Sequence, residues 1–300
     1  MASGVHVGIS STENSQIIRS EFKRLHDCGV ATVRWFLFAD GRGGFETQAG
    51  IPTGPDGFLF HDVETLLELA KAAKLKLCFS LIDYLWMKDP EAKTGLHDHR
   101  RVLQFAAGRE AFLHCVLIPL FRKFRAHPGI FAWEIANEPE WAIREFNLQP
   151  GSKMPLADFR AFAGEIVRAV HEFSALPATL GSARLSWLRA WDDLDLDIYQ
   201  AHFYPSLESG GTFKLAEQLK KLRLLNKPLW IGELPAQDSS TPDYSLETAL
   251  NCCRQSGLIG AAVWRWTAPE PKGTDIRFGT PDPDMLLAWT APTPAQSTSA

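Results

Sequence analysis

Residues Phe131–Pro139 read FAWEIANEP. The apolar run from Ile130 to Trp133 leads through Glu134, Ile135 and Ala136 and stops at Asn137, Glu138 and Pro139, the pattern of a buried strand that ends in a polar rim. Pro139 cannot donate to a sheet ladder, and the residue before a proline is biased away from the right-handed helical region. Glu138 is therefore expected on an extended backbone at the mouth of a sheet, where a carboxyl group can act as acid or base. The tripeptide alone fits a strand running into an ordinary polar loop equally well, so the flanking segments must decide.

Toward the C-terminus the chain alternates. A helical period over 156–173 is followed by a weak strand at 178–182, a short helix at 185–190, a strand at 197–203 and a helix at 213–225. A strand at 228–232 ending at Glu233, a helix at 245–256, a strand at 258–266 and a short helix near 284–289 complete that side. Toward the N-terminus the pattern predicts a helix over 109–126 that Pro119 should kink, a strand at 75–82 followed by a long aromatic loop, and a helix at 61–74. Before these come a Gly-rich loop up to about Phe60, a strand at 30–38, a helix over 15–28 closed by Gly29, and a strand at 5–9. Eight strands alternating with helices, with no shift of composition to mark a linker, predict parallel β-α units closed into a single-domain (β/α)8 TIM barrel of the α/β class over 1–289. The units share no visible sequence repeat. Residues 290–300, made of Pro, Ser, Thr, Ala and Gln, read as a disordered tail.

With 300 residues and 45% hydrophobic content, one large core is possible. The net charge of −4 is scattered over both signs, so there is no basic stripe for nucleic acid and no polybasic patch for a membrane. A neutral or weakly charged partner fits better. Ten tryptophans and nineteen phenylalanines exceed what a core requires, and the surplus suits stacking on the apolar faces of sugar rings. Cys28, Cys78, Cys115, Cys252 and Cys253 lie mostly in apolar helix or strand patterns and read as buried reduced thiols, not as a disulfide framework. MASGVHVGIS has neither the basic region nor the apolar core of a signal peptide, and no stretch reaches membrane-spanning length. The expectation is a soluble protein, cytoplasmic or else secreted with its signal peptide already removed.

In a barrel of this kind the chemistry sits where the strands end. Those positions hold Arg34, Asp83, Tyr84, Asn137, Glu138, His202, Tyr204, Glu233 and either Trp264 or Trp266. Glu138 and Glu233 leave the fourth and seventh predicted strands on roughly opposite sides of the mouth. Carboxyl groups about 5 to 5.5 Å apart would allow one to attack an anomeric carbon while the other protonates the leaving oxygen, with retention; about 6.5 to 9.5 Å would admit water and give inversion.

WEIANEP, AHFYP, LWIGELP and VWRW, on the fourth, sixth, seventh and eighth predicted strands, resemble the clan A glycoside hydrolases, most closely family 5. The resemblance spans roughly residues 5–266 and implies a retaining β-glycosidase with Glu138 as acid/base and Glu233 as nucleophile. It further implies that Asn137 bonds the sugar 2-hydroxyl, that Tyr204 and Arg34 hold Glu233 ionised, that His202 lines the site and that Trp264 floors a subsite. Glu138, beside apolar neighbours such as Trp133 and facing a carboxylate, should hold its proton more readily than Glu233. Many members carry a histidine near the end of strand three, where this chain reads Ile82, Asp83 and Tyr84, and no role is transferred there. The wording of WEIANEP is nearer β-mannanases than cellulases. The implied partner is an oligo- or polysaccharide, mannan-like before glucan-like, acted on by a monomer without cofactor or metal.

Trp266 shares a predicted strand face with Trp264, and Trp86 and Trp141, on loops after the third and fourth strands, are candidates for outer subsites. His97, Asp98 and His99 resemble a metal-ligand cluster but read better as a solvated loop. A metallohydrolase would want two histidines on the first strand, which supplies only His6. The rival readings are a sugar-binding barrel without turnover and a transglycosylase on the same site.

Overall fold

The structure, a computed structural model, describes residues 9–88, 99–148, 154–208, 214–222, 226–266, 281–283 and 285–286. In chain order its elements are α1 (Thr12–Asp27), β1 (Thr32–Phe36), β2 (Phe45–Gln48), β3 (Ile51–Pro55), α2 (Leu59–Ala72), β4 (Lys76–Asp83), α3 (Arg100–Gln104), α4 (Ala106–Phe112), α5 (Ile118–Lys123) and β5 (Ile130–Asn137). There follow α6 (Leu156–Phe173), β6 (Ala178–Ser182), β7 (Tyr199–His202), α7 (Leu215–Leu222), β8 (Leu229–Pro235), α8 (Leu246–Gln255) and β9 (Gly260–Trp264).

Among the described residues, seven strands form one parallel sheet in the order β1-β4-β5-β6-β7-β8-β9. The sheet curls into a nearly closed barrel whose two edge strands, β1 and β9, approach each other without pairing, Phe36 lying edge-on to Trp264 at 6.2 Å. This is the (β/α)8 architecture expected from the alternation. The predicted first strand, at 5–9, falls outside the described residues apart from Ile9. So do the tail at 290–300 and most of the terminal helix.

Alternation along β5 shows how sequence builds the two layers. Trp133 points outward, stacks on Phe79 of β4 at 5.5 Å, meets Phe121 of α5 at 5.2 Å and donates its indole N–H to Ser174. Glu134 points inward and reaches Arg34 on β1, a strand with which β5 does not pair. The expectation that Trp133 flanks Glu138 is thus corrected: period-two geometry sends the two side chains to opposite layers. The outer layer is closed by amphipathic helices. On α6, Phe159, Phe162, Ala163, Ile166, Val167 and Val170 are buried at helical spacing, and each such large apolar side chain contributes about 1.5–3 kcal/mol on burial.

Two local readings change. The single predicted helix over 109–126 is α4, a π-helical turn at Leu113–Leu117, and α5. Pro119 has no N–H to continue the α-helical ladder, and the widened turn just before it absorbs the mismatch. The Gly-rich loop contains the antiparallel hairpin β2–β3, joined through Ala49 and Gly50 with φ of 51° and 78°. That is a two-residue turn of the left-handed kind hairpins favour, without the Asn-Gly spelling that would announce it. Among the described residues, no helix is long and apolar enough to cross a membrane.

Candidate active site

The chain turns sharply where β5 ends. Glu138 donates its backbone N–H to Gly181 O at 2.7 Å, extending the pairing with β6, and then adopts φ 45°, ψ 48° before the 3-10 turn Pro139–Trp141. The expected extended backbone is therefore corrected to a left-handed one. Proline disfavours the right-handed region, and entry into an immediate tight turn requires the chain to reverse. A left-handed non-glycine residue costs roughly 1–2 kcal/mol, so the turn must be held from outside. Glu140 does this: fully buried, it accepts from Ser182 Oγ at 2.6 Å, Ala183 N at 3.1 Å and Trp191 Nε1 at 2.9 Å.

This geometry brings the two expected carboxylates together. Glu138 Oε1 is 2.7 Å from His202 Nδ1, and its Oε2 accepts the Trp141 indole N–H at 2.7 Å. Glu233, on β8, accepts from Arg34 Nη1 at Oε1 and from the Tyr204 hydroxyl at Oε2, both at 2.6 Å. His202 Nδ1 also stands 3.6 Å from Glu233 Oε2. One carboxylate oxygen of Glu138, one of Glu233 and a His202 ring nitrogen all lie within 4.8 Å of one another.

Arg34 organises the floor. Besides Glu233 it forms a two-pronged pair with Glu134 through Nε and Nη2, and Nη2 also donates to Asn137 Oδ1 at 2.6 Å. Glu134 is completely buried and takes a further hydrogen bond from Ser80 Oγ at 3.1 Å. Gly181 makes room for it, since a Cβ there would sit 2.6 Å from Glu134 Oε1. The sequence demanded a partner for a strand arginine without supplying its name. The signal was present, because Glu134 is the lone acid within the otherwise apolar run of β5.

Burial pushes the Glu138 carboxyl up to about 7 against the opposing pull of the Trp141 N–H and Arg34. Burial also raises Glu233 above the ordinary carboxylate range, while Arg34 and the Tyr204 hydroxyl draw it back toward ionisation. Two acids of one type thus sit in different environments, one with a permanent cation in contact and one without. Desolvation lowers His202 to about 4, so its ring is neutral at neutral pH. Asp83 is raised to about 7 by burial, with Asn137 Nδ2 donating to its Oδ2 at 2.7 Å.

The tryptophans divide. Trp264 ends β9 beside Phe36, whose ring lies under Arg34, and is half-buried. Trp141 is also half-buried, and its indole N–H contacts Glu138 directly instead of standing at a distance as an outer platform. Trp86 is wholly buried between Phe45, His99 and Phe112, so the expectation of a sugar platform there is withdrawn. Trp266 turns away from Trp264. Its N–H donates to Glu21 at 2.7 Å and Arg24 lies over its ring, which ties it to α1 on the outside of the barrel. Strand alternation stops at Trp264, so the two do not share a face. His97 and Asp98 lie outside the described residues, and His99 is buried against Trp86.

Glu138, His202 and Glu233 are spaced closely enough to ligate a cation. The fit is poor, because Arg34 and Tyr204 already occupy both oxygens of Glu233 and the guanidinium charge would oppose a metal ion beside it.

No family model and no curated protein sequence matches this chain. Solved structures do. An endo-1,4-β-mannanase from Eisenia fetida superposes with a TM-score of 0.76 at 17% identity over 95% of this chain and 85% of its own. A GH5_18 protein from Streptomyces cattleya, solved with Manβ1-4GlcNAc, gives 0.70 at 11% identity over 92% and 75%. The endoglucanase Cel5A of Pseudomonas stutzeri gives 0.61 at 15% identity over 91% and 85%. The chain is thus a (β/α)8 barrel similar in fold to glycoside hydrolases of the family 5 type.

Proposed function

We propose that this protein is a retaining β-glycosidase that hydrolyses β-linked oligo- or polysaccharides by double displacement, with mannan-like substrates preferred to glucan-like ones. The observation that carries the reading is the Glu138–Glu233 pair. Oxygens of the two lie within 4.8 Å, and only Glu233 is gripped by a cation. The short separation fits direct attack on carbon better than a path through intervening water.

In the first step Glu233 attacks the anomeric carbon while Glu138 passes its proton to the glycosidic oxygen. The carbon–oxygen bond breaks and the sugar remains esterified to Glu233. In the second, ionised Glu138 takes a proton from water, the water oxygen bonds to the anomeric carbon and Glu233 leaves. Arg34 and Tyr204 stabilise Glu233 as leaving carboxylate, His202 and Trp141 hold Glu138 in line, and Trp264 offers the sugar a flat apolar face. Asn137, with Oδ1 committed to Arg34 and one amide hydrogen to Asp83, keeps its second amide hydrogen for the 2-hydroxyl.

The mannan preference is supported by the wording of WEIANEP and by the likeness to a mannanase, although an endoglucanase superposes too. One chain supplies every reacting group, so a monomer suffices. Five free cysteines suit a reducing compartment. A sugar-binding barrel without turnover has no need of two opposed carboxylates. Release of chromophore from aryl β-mannoside and aryl β-glucoside, compared with the E138Q and E233Q variants, tests the reading; wild-type protein inactive on both, and on defined oligosaccharides, would refute it.

A further inference from the structure

Asp83 ends β4 and takes no part in the proton and glycosyl transfers, yet it is buried at the heart of the site. Strand register sets it directly beside Asn137. Its Oδ2 accepts from Asn137 Nδ2 at 2.7 Å and its Oδ1 from Leu85 N at 2.9 Å, so both oxygens face donors. On its other side the Asn137 amide meets Arg34 Nη2 at Oδ1, 2.6 Å away. A guanidinium only donates, so Oδ1 must face Arg34 and Nδ2 must face Asp83. The amide is clamped between a fixed donor and a fixed acceptor, and a single N–H is left over.

We infer that Asp83 is a positioning residue for glycone recognition: it locks the Asn137 amide so that its remaining N–H is presented to the hydroxyl on the carbon next to the anomeric centre. The inference rests on the glycosidase reading above and adds to it a residue on which the resemblance is silent. A carboxylate is required because an amide at 83 would set an NH2 group against either Asn137 Nδ2 or Leu85 N, donor against donor. The Asn137 amide could then turn, and its contact with the sugar would be lost just where such contacts strengthen toward the transition state.

The test uses two aryl β-glycosides, one with the 2-hydroxyl and one without it. Removing that hydroxyl from the manno or the gluco sugar gives the same 2-deoxy compound, so the comparison does not depend on which sugar the enzyme prefers. D83N and N137A should each lose about 10- to 100-fold in kcat/KM on the 2-hydroxy substrate and distinctly less on the 2-deoxy one. D83N placed on N137A should cost nothing more. Equal losses on both substrates, or a full D83N loss persisting in N137A, would overturn the inference by showing a purely structural role. Should D83N fail to fold by circular dichroism, D83S, which keeps one acceptor for two donors, goes through the same comparison. Wild-type protein inactive on both compounds and on oligosaccharides would instead sink the glycosidase reading and the inference with it.

Discussion

Arg34 holds Glu233 through Nη1 at 2.6 Å while its Nε and Nη2 pair with the fully buried Glu134 and Nη2 also donates to Asn137. The same cation thus supports the proposed nucleophile and pairs with an acid inside the barrel. Lysine cannot do both, because its single ammonium group lacks the planar fork. R34K should lower kcat by about 100-fold, and leaving Glu134 poorly paired should cost on the order of 3 kcal/mol of stability. Steady-state kinetics and urea unfolding on one preparation check both. A loss of activity without any loss of stability would contradict the shared role.

Trp141 donates to the ionised form of Glu138 and opposes the burial that leaves this carboxyl at about 7. Removing that donor in W141F should raise the Glu138 pKa further. The acid form would then persist to higher pH, and the alkaline limb of the kcat/KM profile, expected near pH 7 in the wild type, should move upward. An unmoved limb would show that the limb reports another group.

Glu138 and Glu140 are each raised to about 7 by burial. A carboxyl with a folded pKa above its unfolded value binds more protons in the native state, so its stabilisation is complete below the unfolded pKa and is lost as pH rises through about 7. Thermal unfolding should therefore show a Tm several degrees lower at pH 8 than at pH 5. The contrary trend would mean that these carboxyls are ionised and well paired in the folded protein.

The sequence made the barrel and the two opposed carboxylates at its strand ends readable because parallel strands are continuous apolar runs and polar residues at their termini stand out. What it hid depends on long-range packing. The partnership of Arg34 with Glu134 spans 100 positions and is settled only when β1 and β5 face each other across the barrel. Trp86 and Trp266 look like Trp264 in composition, and only burial against Phe45 and Phe112, or a hydrogen bond to Glu21, tells them apart. Glu140 follows Pro139 as one more loop acid until Ser182, Ala183 and Trp191 close around it.

The central claim is that Glu233 forms a covalent bond to sugar. Incubation with an activated 2-deoxy-2-fluoro β-mannoside or β-glucoside, which slows release more than attack, followed by mass measurement of the digested protein, tests it directly. A glycosyl adduct on the peptide carrying Glu233, absent in E233Q, is the predicted result. Turnover of ordinary substrate to product of inverted configuration, with no adduct formed, would contradict it.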